Sequence, residues 1–137
     1  MKLVDTSAVV DIDRGGVDRK VEKLDQEGRH AISAVTLTEL RLGVNKQYES
    51  GTEAHREAIE DLERLCSRFE VIPANRPVAV AAANIIADLQ SRGVPLNDLH
   101  DVYIAATGRT EQLPVLTTNV DHFERIEDVQ VIDWTEY

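Results

Sequence analysis

The sequence has 137 residues but a single cysteine, no lysine after residue 46 and no long apolar run. The lone Cys66 cannot form an internal disulfide and is typical of a packed thiol in a reducing cytosol. The four histidines are scattered, and none lies at ligand spacing from the cysteine, which argues against a zinc site. The most apolar stretch, residues 78–89, is about half as long as the ~20 residues of a membrane span. The sequence therefore predicts a soluble, cytoplasmic protein with no membrane contact.

The chain also lacks positive charge, since 15 Lys and Arg against 25 Asp and Glu leave a net charge of −10. Residues 1–46 are neutral, with eight basic and eight acidic side chains, so residues 47–137 carry the whole excess. This composition excludes binding of nucleic acid through overall positive charge. A solubilising surface and adaptation to a high-salt cytoplasm would each account for the excess of acidic residues, and both explanations stay open.

Length and composition predict one globular domain covering residues 1–137. Domains of roughly 100–150 residues are the commonest size, and 42% hydrophobic residues are typical of globular chains. A chain of this length buries about two-thirds of its unfolded surface, so it needs no disulfide or structural metal to fold. No internal repeat, low-complexity segment or linker divides it.

Short apolar runs alternate with amphipathic segments along the chain. The runs predict strands at 2–4, 30–33, 70–72, 114–117 and 129–132. The intervening segments predict helices at 6–14 (capped by Thr6 and Ser7), 17–27, 36–48, 53–69 and 75–93, and from 97 or 98 onward. Such alternation is typical of an α/β fold with a parallel sheet covered by helices.

Polar side chains follow several of these strands. In parallel sheets, ligand sites lie beyond the carboxyl ends of the strands. Asp5 ends the first strand, Glu39 follows the second, and residues 119–121 follow the fourth. Asp98 and Asp101 open the helix before the fourth strand. In the predicted fold, carboxylates from distant segments therefore converge on one edge of the sheet.

Convergent carboxylates repel one another and lose hydration, so a fold tolerates them only with compensation. A hard divalent cation supplies it, because Mg²⁺ prefers oxygen ligands and keeps several of its waters. Such a cation lowers the pKa of a bound water and neutralises charge on a phosphodiester, and two ions about 4 Å apart would serve the attacking and leaving oxygens. The pattern thus favours Mg²⁺ or Mn²⁺.

Each of these residues also has a purely structural explanation. Thr36 and Glu39 have the spacing of a capping box, in which the glutamate bonds back to the start of its helix. Asp98, with Asp101 three residues later, is typical of a helix N-terminus. Asp5 is spaced to cap the helix after the first strand. Acidic surface and ordinary histidines account for the remainder, namely Asp121, His100 and His122.

Four segments taken together resemble the PIN-domain ribonucleases of the VapC toxin type. They are residues 3–7 (LVDTS), 32–43 (ISAVTLTELRLG), 101–106 (DVYIAA) and 116–123 (LTTNVDHF). Each is degenerate alone, but the four occur in the family's order and the similarity spans nearly the whole chain. The resemblance implies a three-layer α/β/α PIN fold with a central parallel sheet of about five short strands.

The resemblance also implies metal-dependent cleavage of single-stranded or looped RNA by a metal-activated water. Asp5, Glu39 and Asp101 fall on the family's three main acidic positions. Asp5 and Asp101 would hold the cation, and Glu39 would bind a second ion or position the nucleophile. Three hydroxyl side chains would support these groups or the phosphate, namely Thr6, Ser7 and Thr117.

The fourth acidic position departs from the family pattern. Some relatives have an aspartate after the threonine pair, where this chain has Asn119. Asp121 follows two residues later, and His122 stands just before Phe123. Asn119, Asp121 and Asp98 are therefore additional candidate ligands, and one or two ions remain possible. Contacts to the RNA backbone are expected from the neutral first third, which offers Arg14, Arg19, Lys20, Lys23, Arg41 and Lys46.

The same resemblance implies a homodimeric toxin whose partner is a small antitoxin with a basic tail that covers the acidic site. Two other PIN functions stay open, an RNA-processing nuclease without an antitoxin and a catalytically silent scaffold that binds RNA or protein. A phosphotransfer domain with Asp5 as nucleophile is disfavoured. Ser7 stands where haloacid-dehalogenase-like enzymes have a second aspartate, and no lysine follows Lys46 as a receiver domain would require.

Overall fold

The computed structural model describes all 137 residues, and one five-stranded sheet forms its centre. The strands are β1 (Leu3–Val4), β2 (His30–Ser33), β3 (Phe69–Ile72), β4 (Val115–Thr117) and β5 (Val131–Asp133). Their order is β3-β2-β1-β4-β5, and every neighbouring pair is parallel. The expected parallel sheet of five short strands is confirmed.

Helices connect the strands and cover the sheet. They are α1 (Thr6–Arg14), α2 (Asp18–Gln26), α3 (Ala34–Gln47), α4 (Glu53–Cys66), α5 (Arg76–Ser91), α6 (Leu99–Glu111) and α7 (Val120–Glu124), and a 3₁₀ turn (Trp134–Glu136) follows β5. Along the chain, two helices follow each of β1, β2 and β3, and a single helix, α7, connects β4 to β5. None of these helices has both the length and the apolar character that crossing a bilayer requires.

The hydrophobic core lies on both faces of the sheet. Neighbouring residues of a strand point to opposite faces, and β1 divides in this way. Leu3 joins an apolar cluster with residues of α5 and α6, whereas Val4 joins a second cluster with residues of α1 and α2. Ala31 and Ile32 of β2 are divided between the same two clusters. Helices therefore cover both faces, and the three-layer α/β/α arrangement is confirmed.

Helix α3 begins two residues earlier than the sequence pattern predicts. Ser33, at the end of β2, is its N-cap, and the Ser33 hydroxyl accepts a hydrogen bond of 3.0 Å from the Val35 amide. Thr36 consequently lies inside the helix, and the capping-box explanation of Thr36 and Glu39 is wrong. The Glu39 carboxylate instead accepts a hydrogen bond from Thr6 on α1.

The other helix starts follow the predicted caps more closely. Asn75 and Asp98 are confirmed as N-caps of α5 and α6, because each side chain accepts a hydrogen bond of 3.2 Å from a backbone amide three residues later. Asp5 occupies the N-cap position of α1 but makes no side-chain capping bond. Thr6 and Ser7 lie within the first turn of α1 and do not cap it, which leaves their hydroxyl groups available to other partners.

Two further differences from the sequence pattern involve short elements. Helix α4 ends at Cys66, before the predicted Phe69, because Phe69 pairs with His30 in the β2–β3 ladder. Helix α7 has only five residues, too few for a helical period to show in the sequence. It starts directly after β4, at the edge of the sheet where the predicted carboxylates converge.

Gly108 marks a close approach of α6 to the sheet. A Cβ atom on Gly108 would lie 3.0 Å from a Val115 methyl group and 3.1 Å from the Leu113 carbonyl oxygen, whereas one on Gly43 in α3 would have no atom within 4 Å. We expect Gly108→Ala to lower the free energy of unfolding by about 1–3 kcal/mol, because Val115 is buried in β4. Gly43→Ala should raise it by about 0.5–1 kcal/mol.

Urea denaturation of both variants beside the wild type measures these changes. Each variant adds the same methyl group to a helix interior, so Gly43→Ala corrects for helix propensity. Equal stabilisation by the two substitutions would contradict the close contact between α6 and β4.

Candidate metal centre

A cavity of about 370 Å³ opens at the carboxyl edge of the sheet. Helix α1 along its whole length, the middle of α3, the start of α6 and the loop after β4 form its walls. Five acidic residues and one arginine are among its lining residues, which are Asp5, Thr6, Ser7, Val10, Asp11, Arg14, Glu39, Asp98, Asp101, Thr118 and Asn119. The fold therefore brings the predicted residues Asp5, Glu39, Asp98, Asp101 and Asn119 to one cavity.

Asp5 is the most deeply buried of these carboxylates, at 1% exposure. Its Oδ2 atom accepts hydrogen bonds from the hydroxyl groups of Ser7 (2.8 Å) and Thr117 (2.7 Å). Both hydroxyl groups are themselves held by backbone amides, since Ser7 accepts from Thr118 N–H (3.1 Å) and Thr117 accepts from Asn119 N–H (2.9 Å). The supporting positions predicted for Ser7 and Thr117 are thus in direct contact with Asp5.

The second oxygen of Asp5, Oδ1, is buried and has no hydrogen-bond partner. A buried carboxylate oxygen without a partner costs free energy, because it has lost water and gained nothing in return. A divalent cation is the ligand that best compensates such an oxygen among other carboxylates. The residues present therefore fit a hard cation bound through oxygen atoms.

Glu39 reaches the cavity from α3 and is restrained by α1. The Thr6 hydroxyl lies 2.9 Å from Glu39 Oε1, to which it donates, and 3.0 Å from the Thr36 hydroxyl. His100 Nδ1 lies 3.4 Å from Glu39 Oε2, with the His100 side chain half exposed. Thr6 thus supports Glu39, whereas Ser7 and Thr117 support Asp5.

Asp101 lies in the first turn of α6 and is buried. Burial is the main cause that raises its pKa, from the ordinary 3.8 to about 6. A hydrogen bond with His122 lowers the pKa, and the negative charges of Asp5 and Asp98 raise it further. Asp101 therefore carries its charge at neutral pH at a cost that a bound cation would remove.

His122 is a contact of the site that the sequence does not predict. Its Nδ1 atom lies 2.6 Å from Asp101 Oδ2, and one ligand atom from each of Asp98, Asp101 and His122 lies within 4.8 Å of the others. The sequence pattern favours an ordinary histidine at this position. One feature of the sequence could have indicated His122: in a parallel sheet, the segment after β4 starts at the same edge as Asp5.

Asp121, the neighbour of His122, does not line the cavity. It is exposed on α7 and borders a separate hollow with Asp133 and Thr135. Asn119 lies between the two depressions and lines both. Of the three additional candidate ligands, Asp98 and Asn119 thus face the cavity of Asp5, whereas Asp121 does not.

A sequence model of the PIN domain family matches residues 2–129. The chain belongs to the PIN-domain family. Ribonuclease VapC1 of Rickettsia felis is 31% identical to it over 130 residues, which cover 95% of this chain and 93% of the relative. The tRNA(fMet)-specific endonuclease VapC of Salmonella typhimurium is 32% identical over 106 residues, or 77% of this chain and 76% of the relative.

The same fold is present in the crystal structure of DNA-bound VapBC from Salmonella typhimurium. The TM-score is 0.84 at 27% sequence identity, and the match covers 98% of this PIN domain and 99% of the other chain. The resemblance of the four sequence segments to PIN-domain ribonucleases of the VapC type is thereby confirmed.

We expect Asp101→Asn to stabilise this PIN domain in the absence of metal above about pH 6. The pKa of Asp101 is raised on folding, so the folded wild type holds a proton more tightly than the unfolded chain and loses stability as the pH rises from 3.8 to about 6. Asparagine lacks this loss. The free energy of unfolding of Asp101→Asn should equal that of the wild type below about pH 4 and exceed it by about 1–3 kcal/mol at neutral pH.

Urea denaturation in EDTA across this pH range tests the expectation. Asp121→Asn is the matched control, because it removes one negative charge at an exposed position outside the cavity. If both variants gain the same stability, overall charge and not the burial of Asp101 is responsible.

Proposed function

We propose that this PIN domain is a divalent-metal-dependent endoribonuclease and the toxin component of a toxin–antitoxin pair. The observation that carries the proposal is the buried Asp5 Oδ1 atom, which has no hydrogen-bond partner and belongs to a cavity shared with Glu39, Asp98 and Asp101. The VapC ribonucleases named above support RNA as the substrate. The cytoplasm is the compartment in which such an enzyme would meet cellular RNA.

In the proposed site, Asp5 and Asp101 hold Mg²⁺ or Mn²⁺. When bound, the cation makes a coordinated water more acidic and stabilises negative charge on the phosphate that is attacked. Ser7 and Thr117 orient Asp5 by donating to Oδ2, which leaves Oδ1 for the cation. Glu39, fixed through Oε1 by Thr6, orients the attacking water or holds a second ion.

The proposed contact to the RNA backbone is Arg14. It is the one basic residue that lines the cavity, it lies in the last turn of α1, and it forms no salt bridge. Its neighbour on the same helix, Asp11, is engaged elsewhere, because Asp11 Oδ2 accepts a hydrogen bond from the Trp134 indole (3.1 Å). The Arg14 guanidinium is therefore available to a phosphate beside the cleaved bond.

The proposed partner is a small antitoxin with a basic tail, bound to a homodimer of this chain. VapBC complexes among the structural relatives support the partner, and the acidic cavity supports a tail of opposite charge. An RNA-processing nuclease without an antitoxin would have the same cavity. Co-purification of a small protein encoded beside this chain would favour the toxin, and its absence would favour the processing nuclease.

Cleavage of total cellular RNA in the presence of Mg²⁺ or Mn²⁺ tests the proposed activity. We expect Asp5→Asn and Asp101→Asn each to reduce the cleavage rate by at least about 10²-fold, because each removes a charged group that holds the cation. Glu39→Gln should also reduce it, since no capping role explains Glu39. Asp121→Asn, outside the cavity, should retain the wild-type rate.

Mapping of the cleaved positions by primer extension identifies the RNA at the same time. Undiminished cleavage by a purified Asp5, Asp101 double variant would contradict the proposed site. Binding of RNA or protein without any metal-dependent cleavage by the wild type would favour the silent scaffold.

We expect Arg14→Gln to raise KM for RNA by roughly 3–10-fold with little change in kcat, the scale of one partly exposed phosphate contact. The salt dependence of binding should become shallower by about one counterion. Arg14→Lys should lie between the wild type and glutamine. Arg64→Gln on α4 is the charge-matched control and should leave KM unchanged, because Arg64 does not line the cavity. Equal effects of the two glutamine variants would assign the change to overall charge.

A further inference from the structure

His122 approaches Asp101 from outside the cavity. Asp101 lines the cavity with Asp5, but His122 does not, and its side chain borders the neighbouring hollow with Asp121 and Asp133. The imidazole Nδ1 atom lies 2.6 Å from Asp101 Oδ2, a distance typical of a strong hydrogen bond to a carboxylate. His122, on a separate element, thus contacts Oδ2 of Asp101 and borders the neighbouring hollow.

The second oxygen of Asp101, Oδ1, has no hydrogen bond from the protein. Asp5 shows the same division, since hydroxyl groups hold Oδ2 and Oδ1 is free. In both carboxylates, Oδ2 accepts the side-chain hydrogen bonds, and Oδ1 has no partner and is left for a ligand. A donor in this position orients the carboxylate and limits its rotation away from its charged neighbours.

We propose that His122 is a positioning residue, whose Nδ1–H group holds Asp101 so that Oδ1 points toward the cation. The inference rests on the proposed cation site at Asp5 and Asp101 and assigns to it a residue on a separate element, α7. The buried side chain of Phe123 anchors α7 in the core next to α5 and α6, which fixes His122 relative to Asp101.

His100, the other histidine near the site, does not have this role. Its Nδ1 atom is 3.4 Å from Glu39 Oε2, and half of its side chain is exposed. The carboxylate of Glu39 is already restrained at Oε1 by Thr6. Asp101, by contrast, has His122 as its only side-chain hydrogen-bond donor, so loss of the imidazole leaves this carboxylate without a partner.

Binding of Mn²⁺ in the absence of RNA, followed by electron paramagnetic resonance of the free ion, tests the inference. We expect His122→Leu to weaken Mn²⁺ binding by about 10–100-fold, the usual effect of removing a donor behind a metal ligand. His122→Asn should restore much of the loss, because the asparagine amide can donate from nearly the position of Nδ1. His55→Leu is the control, since His55 is a half-buried residue of α4 that does not line the cavity and bonds only Asn45 and its own helix cap.

Three results would overturn the positioning role. The first is an unchanged Mn²⁺ affinity in His122→Leu, and the second is an equal loss of Mn²⁺ affinity in the leucine and asparagine variants. The third is a nitrogen coupling in the spectrum of bound Mn²⁺ that vanishes in His122→Leu, because it would identify the imidazole as a direct ligand. Thermal unfolding in EDTA checks that the leucine variant is folded, and the asparagine variant carries the test if it is not.

The same measurements separate this inference from the proposed function. If the wild type binds Mn²⁺ and cleaves RNA while His122→Leu binds as tightly, only the role of His122 is wrong. If the wild type binds no Mn²⁺ and Asp101→Asn is indistinguishable from it, the cation site itself is wrong and the role of His122 falls with it.

Discussion

Asp5, Asp98 and Asp101 bring three negative charges to one cavity that Glu39 also lines. Their mutual repulsion, together with the lost hydration of the buried Asp5 and Asp101, raises the free energy of the folded chain. The raised pKa of Asp101 is a direct expression of this cost. The hydroxyl groups around Asp5 and Glu39 reduce it by hydrogen bonding, but they are neutral and leave the charge in place. A fold that retains such an arrangement gives up stability for a site in which a cation is strongly favoured.

The way in which the carboxylates are held decides what they can bind. A carboxylate with donors on both oxygens would be satisfied without a ligand, and one with none would rotate toward water. Here, Asp5 is held through Oδ2 and Asp101 through its own Oδ2, and the donors come from β4, α1 and α7. The orientation of the site consequently depends on the relative positions of three elements that come together at the carboxyl edge of the sheet. The geometry of the site therefore depends on how the helices pack on both faces of the sheet.

The sequence predicts the part of this arrangement that local chemistry encodes. Asp5 and Asp101 are predictable because strand ends and helix starts have local signatures, and in a parallel sheet those ends meet. The spacing of Thr36 and Glu39 predicts a capping box that does not form. That spacing is also a local signature, and only the backbone shows that Ser33 is the N-cap of α3. His122 escapes prediction for a different reason. Its contact with Asp101 depends on the distance between α6 and α7, which no pattern within either helix records.

The net charge of −10 acquires a more specific meaning at this site. RNA approaching the cavity meets five carboxylates and a single arginine. In the proposed function, the attraction to the phosphate comes from a bound cation together with Arg14. A basic tail from a partner protein would relieve the same repulsion by placing a guanidinium against the oxygens that a cation needs. Cation and tail would then be alternative ways of compensating the same cluster of carboxylates. In the proposed toxin, the electrostatic cost that makes the site active would also be what makes it easy to inhibit.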